Sequence, residues 1–135
     1  AHNARDTDMA TYREHKIICQ SVARPQNKKL ERSDYDRVLE SQFLIEVLNN
    51  FETILNEAQE TPLMQGPFIL DIDLDYFNTH LSAQPADAQI IRKLAKQAGL
   101  ITIATEPEYV KSCAIDTELS GETLLMSLTE ILQQG

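Results

Sequence analysis

Three aspartates alternate with apolar residues in one short stretch of the sequence, and they are its strongest candidates for chemistry. Asp71, Asp73 and Asp75 are separated by Ile72 and Leu74. Because successive side chains of a β-strand point to opposite faces, a strand here places all three carboxylates on one face, roughly 6 to 7 Å apart. Three negative charges on a buried strand need a compensating cation. The pattern therefore predicts a metal site.

Carboxylate oxygens favour a hard divalent ion, Mn²⁺ or Mg²⁺. In an open α/β sheet, ligands bind beyond the carboxyl ends of the strands, which is where Asp73 and Asp75 are expected to lie. His80 follows in the next loop and is a further candidate ligand. The alternative is an edge strand whose aspartates face solvent and discourage pairing with another strand.

The elements around this stretch follow the order of a βαβ unit. Residues 68–75 are predicted as the first strand, residues 85–98 as a helix that ends before Gly99, and residues 100–105 as a second strand. A helix of this length between two strands predicts a parallel pair with a right-handed crossover. The expected fold class is α/β, a short parallel sheet with helices packed on it.

Two further amphipathic helices are predicted. Apolar residues recur at three- and four-residue spacing over residues 33–60, with Ser33 as the N-cap and Thr61-Pro62 as the stop. Residues 43–45 are three consecutive apolar residues, and a helix that packs against a single sheet cannot bury all three on one face. A homodimer through the 33–60 helix is therefore one expected partnership. Residues 120–133 are predicted as the last helix.

The charge is unevenly distributed along the chain. The net charge is −9, yet residues 1–32 carry seven Lys and Arg against four Asp and Glu, whereas residues 33–135 carry five against seventeen. We expect an irregular basic N-terminal segment over 1–32, with residues 16–22 as its one strand candidate, and a single α/β domain over 33–135. An acidic domain disfavours nucleic acid and suits a metal ion or a cationic small molecule or peptide.

Composition excludes several other classes. The chain has 135 residues, 42% of them apolar, and contains neither an apolar run long enough for a membrane span nor a signal segment. Its two cysteines, Cys19 and Cys113, lie far apart and match neither a zinc knuckle nor a disulfide scaffold. A cytoplasmic protein without membrane contacts is expected.

The stretch PFILDIDLDYF, with the following helix, the strand LITIATEPEY and the leucine-rich last helix, resembles a family that includes the peptide arginases. That family is similar to the arginase and histone-deacetylase superfamily, whose members hold one or two metal ions at the carboxyl edge of a parallel sheet. The resemblance spans residues 65–133 and rests mostly on one motif. It implies an arginase/deacetylase-like fold, over a complete or a partial domain. It also implies manganese and hydrolysis of a guanidinium or other C–N bond, such as conversion of peptidyl arginine to ornithine.

The resemblance also implies roles for individual residues. Asp73 and Asp75 match the Asp-x-Asp pair that ligates manganese, while a register slip of two makes Asp71 and Asp73 the ligands. Glu106 resembles the acidic residue that meets the substrate guanidinium or a catalytic water, with Glu108 as the fallback. Catalysis is assigned to Glu106 and Asp75.

Other functions stay open at this stage. An arginase-type site also needs an upstream histidine and an Asp-x-His-x-Asp element, which residues 3–66 lack. The chain is therefore also interpreted as a non-catalytic or truncated arginase-like domain that acts as a binding or oligomerisation module. A third interpretation is a haloacid-dehalogenase-like Mg²⁺-dependent phosphatase with Asp71 as the nucleophile and Asp73 as the acid.

Overall fold

The computed structural model of the chain describes residues 18–19, 21–22 and 29–134. The helices and strands within them are α1 (Arg32–Asp36), α2 (Ser41–Glu57), β1 (Ile69–Asp73), α3 (Gln89–Gln97), β2 (Leu100–Ala104), α4 (Pro107–Cys113) and α5 (Gly121–Gln133). Short 3₁₀ turns occupy Leu63–Gln65, Leu74–Tyr76 and Leu81–Ala83. The predicted α/β class, with helices around a short parallel sheet, is confirmed.

The sheet consists of β1 and β2, which pair in parallel and are connected through α3. Ile69 lies opposite Leu100 at one end of the pair, and Asp73 lies opposite Ala104 at the other. The amide of Gly99 donates to the carbonyl oxygen of Phe68 at 2.9 Å, which fastens the entry of β2 beside the entry of β1.

One face of this sheet is covered by helices. Ile72 of β1 is buried in the main apolar cluster together with residues from the helices and loops. Helix α5 contributes three buried side chains at three- and four-residue spacing, Leu124, Leu128 and Ile131. Each such side chain contributes roughly 1.5 to 3 kcal/mol when it leaves water. The predicted last helix and its N-cap Ser120 are confirmed, since the Ser120 hydroxyl accepts from the amide of Thr123.

The other face of the sheet is exposed. Ile69 and Leu100, which lie opposite each other, are 64% and 54% exposed. Asp71, Asp73 and Thr102 are also exposed on the two strands. We call these five residues the open face. Parallel sheets are normally covered on both faces, so this exposure is unusual.

The single helix predicted over residues 33–60 is wrong: the structure has two helices, α1 and α2, with a break between them. The predicted N-cap Ser33 lies inside α1, whose N-cap is Glu31. The break has a polar cause. The Glu40 carboxylate accepts from the amides of Ala86 and Asp87 at 2.7 and 3.0 Å, which holds residue 40 outside the helix.

Other element boundaries differ in smaller ways. The strand predicted to reach residue 75 ends at Asp73, and the helix predicted from residue 85 begins at Gln89. Helix α4 was not predicted at all. In the strand candidate at residues 16–22, the described residues 18, 19, 21 and 22 do not lie in a strand, and residues 16, 17 and 20 lie outside the described residues. Among the helices of the described part of the chain, none has the length and apolar character needed to cross a membrane.

Candidate acidic site at the sheet edge

Asp71 and Asp73 are carried by β1 on the open face, as their spacing predicts. The Thr102 hydroxyl donates to Asp71 Oδ1 at 2.5 Å across the two strands. Because the face that bears these aspartates is exposed, the expectation of a buried strand is wrong for this face, whereas Ile72 on the opposite face is buried. Solvent reaches both carboxylates, and charge compensation inside the core is not required of them.

Asp75 is placed by a different element. It lies in the 3₁₀ turn that follows β1 and is half-buried, so the strict alternation of the strand does not extend to it. The turn is anchored by Leu74, which is 1% exposed. The side-chain amide of Asn78 donates to the carbonyl oxygens of Asp75 and Cys113 at 3.1 and 3.0 Å. These contacts fix the backbone at Asp75 against the end of α4.

Glu106 lies at the same carboxyl end of the two strands, two residues beyond the Asp73–Ala104 pair. It is the N-cap of α4, and its carbonyl oxygen accepts from the amides of Tyr109 and Val110. Pro107 favours a helix start here because its missing N–H and fixed φ suit the first helical position. The Glu106 side chain is exposed. Glu108, the fallback residue, is exposed in the first turn of the same helix.

His80 is exposed, and the structure involves it in an ionic cluster that the sequence did not predict. Its backbone amide donates to Asp116 Oδ2 at 2.8 Å, and Asp116 Oδ1 accepts from Arg32 Nη2. The hydrogen bond from the His80 amide, followed by that from Arg32, holds the pKa of Asp116 below its usual range, although burial acts in the opposite direction. The hydrogen bond between Arg32 and Asp116 also raises the pKa of Arg32.

This cluster also ties α1 to the loop around residue 80. Arg32 Nε lies 3.8 Å from Asp36 Oδ2, and the Thr79 hydroxyl donates to Asp36 Oδ1 at 2.6 Å. Arg32 and Asp116 are 84 residues apart, so no local pattern could have predicted the contact. The cluster positions the chain around His80 through its backbone.

The remaining histidines, His2 and His15, lie outside the described residues. Among the residues that are described, no three His, Cys, Asp or Glu side chains form a group suited to holding a metal ion. The carboxylates of Asp71 and Asp73 have the donor chemistry that a hard divalent ion prefers, but a closed site needs more ligands than these two. The described residues fit part of such a site.

Comparison of the chain with models of known protein families gives no match, and none is found among curated proteins or among solved structures.

Proposed function

We propose that this chain is an arginase-like, metal-dependent hydrolase that acts on a C–N bond of a cationic substrate. One observation carries the proposal: two parallel strands end side by side, and acidic residues occupy or directly follow both ends. Asp73 ends β1, Asp75 follows in the next turn, and Glu106 follows β2. We call Asp73, Asp75 and Glu106 the acidic edge.

The position of the acidic edge suits ligand binding. Ligands of parallel α/β sheets bind beyond the carboxyl ends of the strands. The exposed carboxylates of Asp73 and Glu106 are accessible to a peptide or a small molecule. A guanidinium group fits a carboxylate through two parallel hydrogen bonds, so an arginine side chain is the expected substrate group.

Manganese is the expected ion, with magnesium as the alternative. When bound, such an ion lowers the pKa of a coordinated water and thereby supplies a nucleophile at neutral pH. Asp73 and Asp75 are the proposed ligands from this part of the chain, and Glu106 is proposed to hold the cationic substrate. The other ligands that a closed site requires are expected from outside the described residues.

Metal binding is the first experiment. Mn²⁺ binding is titrated by electron paramagnetic resonance for the full chain, for its Asp73→Asn and Asp75→Asn variants, and for the control variant Glu46→Gln. Glu46 is an exposed carboxylate on α2. We expect at least tenfold weaker Mn²⁺ binding for the two aspartate variants and no change for the control. Equal binding by all four proteins would remove the acidic edge as the metal site.

Hydrolysis is measured separately, as urea released from an arginine-containing peptide in the presence of Mn²⁺, with the arginine converted to ornithine within the peptide. Glu106→Gln is expected to lower this rate at least tenfold while it leaves Mn²⁺ binding within twofold of the wild type. Mn²⁺ binding without any urea release would keep the proposed metal site and overturn the proposed hydrolase activity.

A non-catalytic binding module is the second candidate, and the open face favours it. Ile69 and Leu100 form an exposed apolar pair at the opposite end of the strands from the acidic edge. Exposed apolar side chains that adjoin one another are typical of contact surfaces. Under this alternative, variants of the acidic edge leave partner binding intact, whereas Leu100→Lys abolishes it.

A further inference from the structure

Helix α3 carries most of the positive charge in the latter part of the chain. After Arg37 the sequence has four Lys and Arg against fifteen Asp and Glu, and three of these four cations, Arg92, Lys93 and Lys96, lie on α3. Arg92 and Lys96 are four residues apart on one helix, and like charges at that spacing repel each other. On an acidic chain, such a concentration of positive charge favours an anion beside it.

The three cations line a groove beside the end of α5. Its volume is about 520 Å³, which falls in the range of small-molecule sites, roughly 300 to 1,000 Å³. No acidic residue lines it among the described parts of the chain. We call the residues that line it the basic groove: Gln89, Arg92, Lys93, Lys96, Gln97 and Gln134.

Arg92 is held in place between two helices. Its Nε donates to the carbonyl oxygen of Ile131 at 3.4 Å, and its Nη2 donates to Gln134 Oε1 at 2.9 Å. These bonds orient the guanidinium group at the junction of α3 with the end of α5. A guanidinium group has five N–H donors, so further donors of Arg92 are available to a ligand.

The charge of Arg92 is partly balanced, whereas the charges of the two lysines are not. Glu130 lines an adjoining groove that Arg92 also lines. The pKa of Asp87 is lowered by the Gln89 amide and the Ser41 hydroxyl, and also by the charge of Arg92. Lys93 and Lys96 are exposed, and within the described residues neither of them forms a salt bridge.

We propose that the basic groove binds a small molecule through a phosphate or diphosphate group. Lys93 and Lys96 are about 4.5 Å apart along the helix axis, so they attract negative charge that is concentrated in a small volume. A phosphate group carries about two negative charges near neutral pH. Carboxylates on one side of an extended acidic peptide are spaced by roughly 6 to 7 Å, which suits this pair less well. The basic groove shares no residue with the acidic edge, so this proposal is independent of the proposed hydrolase.

Titration of the nitrogen-15-labelled full chain with inorganic pyrophosphate, in a metal-free buffer, tests the proposal. Nuclear magnetic resonance follows the side-chain amide signals of Gln89, Gln97 and Gln134, which lie in the groove. We expect these signals to shift saturably with a Kd of about 1 mM or tighter. Raising NaCl from about 0.05 M to about 0.5 M should weaken binding at least fivefold, because salt screens the attraction between the charges.

Variants that change the net charge equally locate the anion. Lys93→Gln and Lys96→Gln each remove one positive charge from the groove, and both positions are exposed, so the fold is expected to persist. Each is expected to weaken pyrophosphate binding about fivefold or more. The controls are Lys111→Gln on α4 and Lys29→Gln in the basic N-terminal segment, both at exposed positions. We expect these two controls to stay within about twofold of the wild type.

Glu130→Gln is expected to have the opposite effect. It removes the carboxylate that shares a groove with Arg92, so the positive charge of Arg92 is less balanced and pyrophosphate should bind about twofold tighter or more. Glu46→Gln changes the net charge by the same amount at an exposed position of α2 and should leave binding unchanged.

Three results would overturn the proposal. The first is the absence of saturable shifts up to about 10 mM pyrophosphate. The second is an equal loss of binding in Lys93→Gln and Lys111→Gln, which would show attraction to net charge alone. The third is a larger loss in Lys29→Gln than in Lys93→Gln, which would assign the anion to the N-terminal segment. Tighter binding of a tetraglutamate peptide than of pyrophosphate would refute the phosphate class.

Discussion

Asp71 and Thr102 lie opposite each other on the two strands, and the Thr102 hydroxyl donates to Asp71 Oδ1. Asp73 lies opposite Ala104, whose side chain offers no donor. The two aspartates of one strand face therefore differ in how far their oxygens are engaged within the protein. Both proposed registers include Asp73, so the choice between them depends on whether Asp71 or Asp75 is the second metal ligand.

Thr102→Val tests how much this cross-strand hydrogen bond contributes to the free energy of unfolding. Valine keeps the β-branched shape and removes the hydroxyl, so strand propensity is preserved. Because both partners are exposed, we expect the free energy of unfolding to fall by no more than about 1 kcal/mol. Urea unfolding measures this change. A loss on the order of 3 kcal/mol would mean that Asp71 is far less solvated than its exposure indicates.

The same variant also probes the metal assignment. If Asp73 and Asp75 are the ligands, Thr102→Val leaves Mn²⁺ affinity within about twofold of the wild type, because Asp71 does not take part. If Asp71 is a ligand, removal of the competing hydroxyl strengthens Mn²⁺ binding. A titration of Mn²⁺ into the wild type and the variant distinguishes the two registers.

Leu128→Ala is expected to be strongly destabilising. Leu128 is 0% exposed on α5 and belongs to the main apolar cluster. Truncation removes apolar contacts and leaves a cavity, which together cost about 2 to 5 kcal/mol. Met126 lies on the same helix and is 67% exposed, so Met126→Ala serves as the control, with an expected change within about 0.5 kcal/mol. Similar urea midpoints for both variants would contradict the described orientation of α5.

Ser41→Ala should destabilise the chain through a lost polar junction. The Ser41 hydroxyl donates to Asp87 Oδ1 at 2.8 Å and accepts from the amide of Ile90 at 3.2 Å, and Ser41 is 4% exposed. Removal leaves groups near the start of α3 without their partner, which costs about 1 to 3 kcal/mol. Ser112→Ala is the matched control, because Ser112 is exposed. Thermal unfolding of both variants is the measurement, and equal stabilities would refute the structural role of Ser41.

The spacing of apolar residues along the sequence was enough to predict the two strands and the last helix. The strand pair and α5 follow from alternation in β1 and from helical spacing in Leu124, Leu128 and Ile131, and both were predicted within a few residues. The break between α1 and α2 was not, because it depends on Glu40 binding the amides of Ala86 and Asp87, which are more than 40 residues away. Long-range polar contacts leave no periodic signal in the sequence.

The candidate site was predictable to a similar extent. Alternation placed Asp71 and Asp73 on one face of a strand, and the structure has them there. The sequence could not show whether one face or both faces of that strand are covered, because strands of the two kinds have similar local composition. Asp75 left the pattern because β1 ends at Asp73 and residues Leu74–Tyr76 form a 3₁₀ turn.

The ionic cluster around Asp116 should make stability depend on acid. The His80 amide, and then Arg32, lower the pKa of Asp116 from its ordinary value of 3.8. A carboxyl whose pKa is lower in the folded state stabilises the fold at pH values above the ordinary pKa. This contribution is lost as the pH falls through the lower, folded pKa. Asp116→Asn is therefore expected to be less stable than the wild type near pH 7, with a difference that shrinks below pH 3.8.

Urea midpoints measured between about pH 2.5 and pH 7 follow this dependence. Glu46→Gln is the control, because Glu46 is an exposed carboxylate on α2, and the stability of this variant should depend on pH in the same way as that of the wild type. The raised pKa of Arg32 affects the pH dependence of stability only in strong alkali, since a basic group with a raised pKa stabilises the fold fully at all pH values below its ordinary pKa. A constant difference between wild type and Asp116→Asn across the acid range would show that the Asp116 charge contributes nothing to folding.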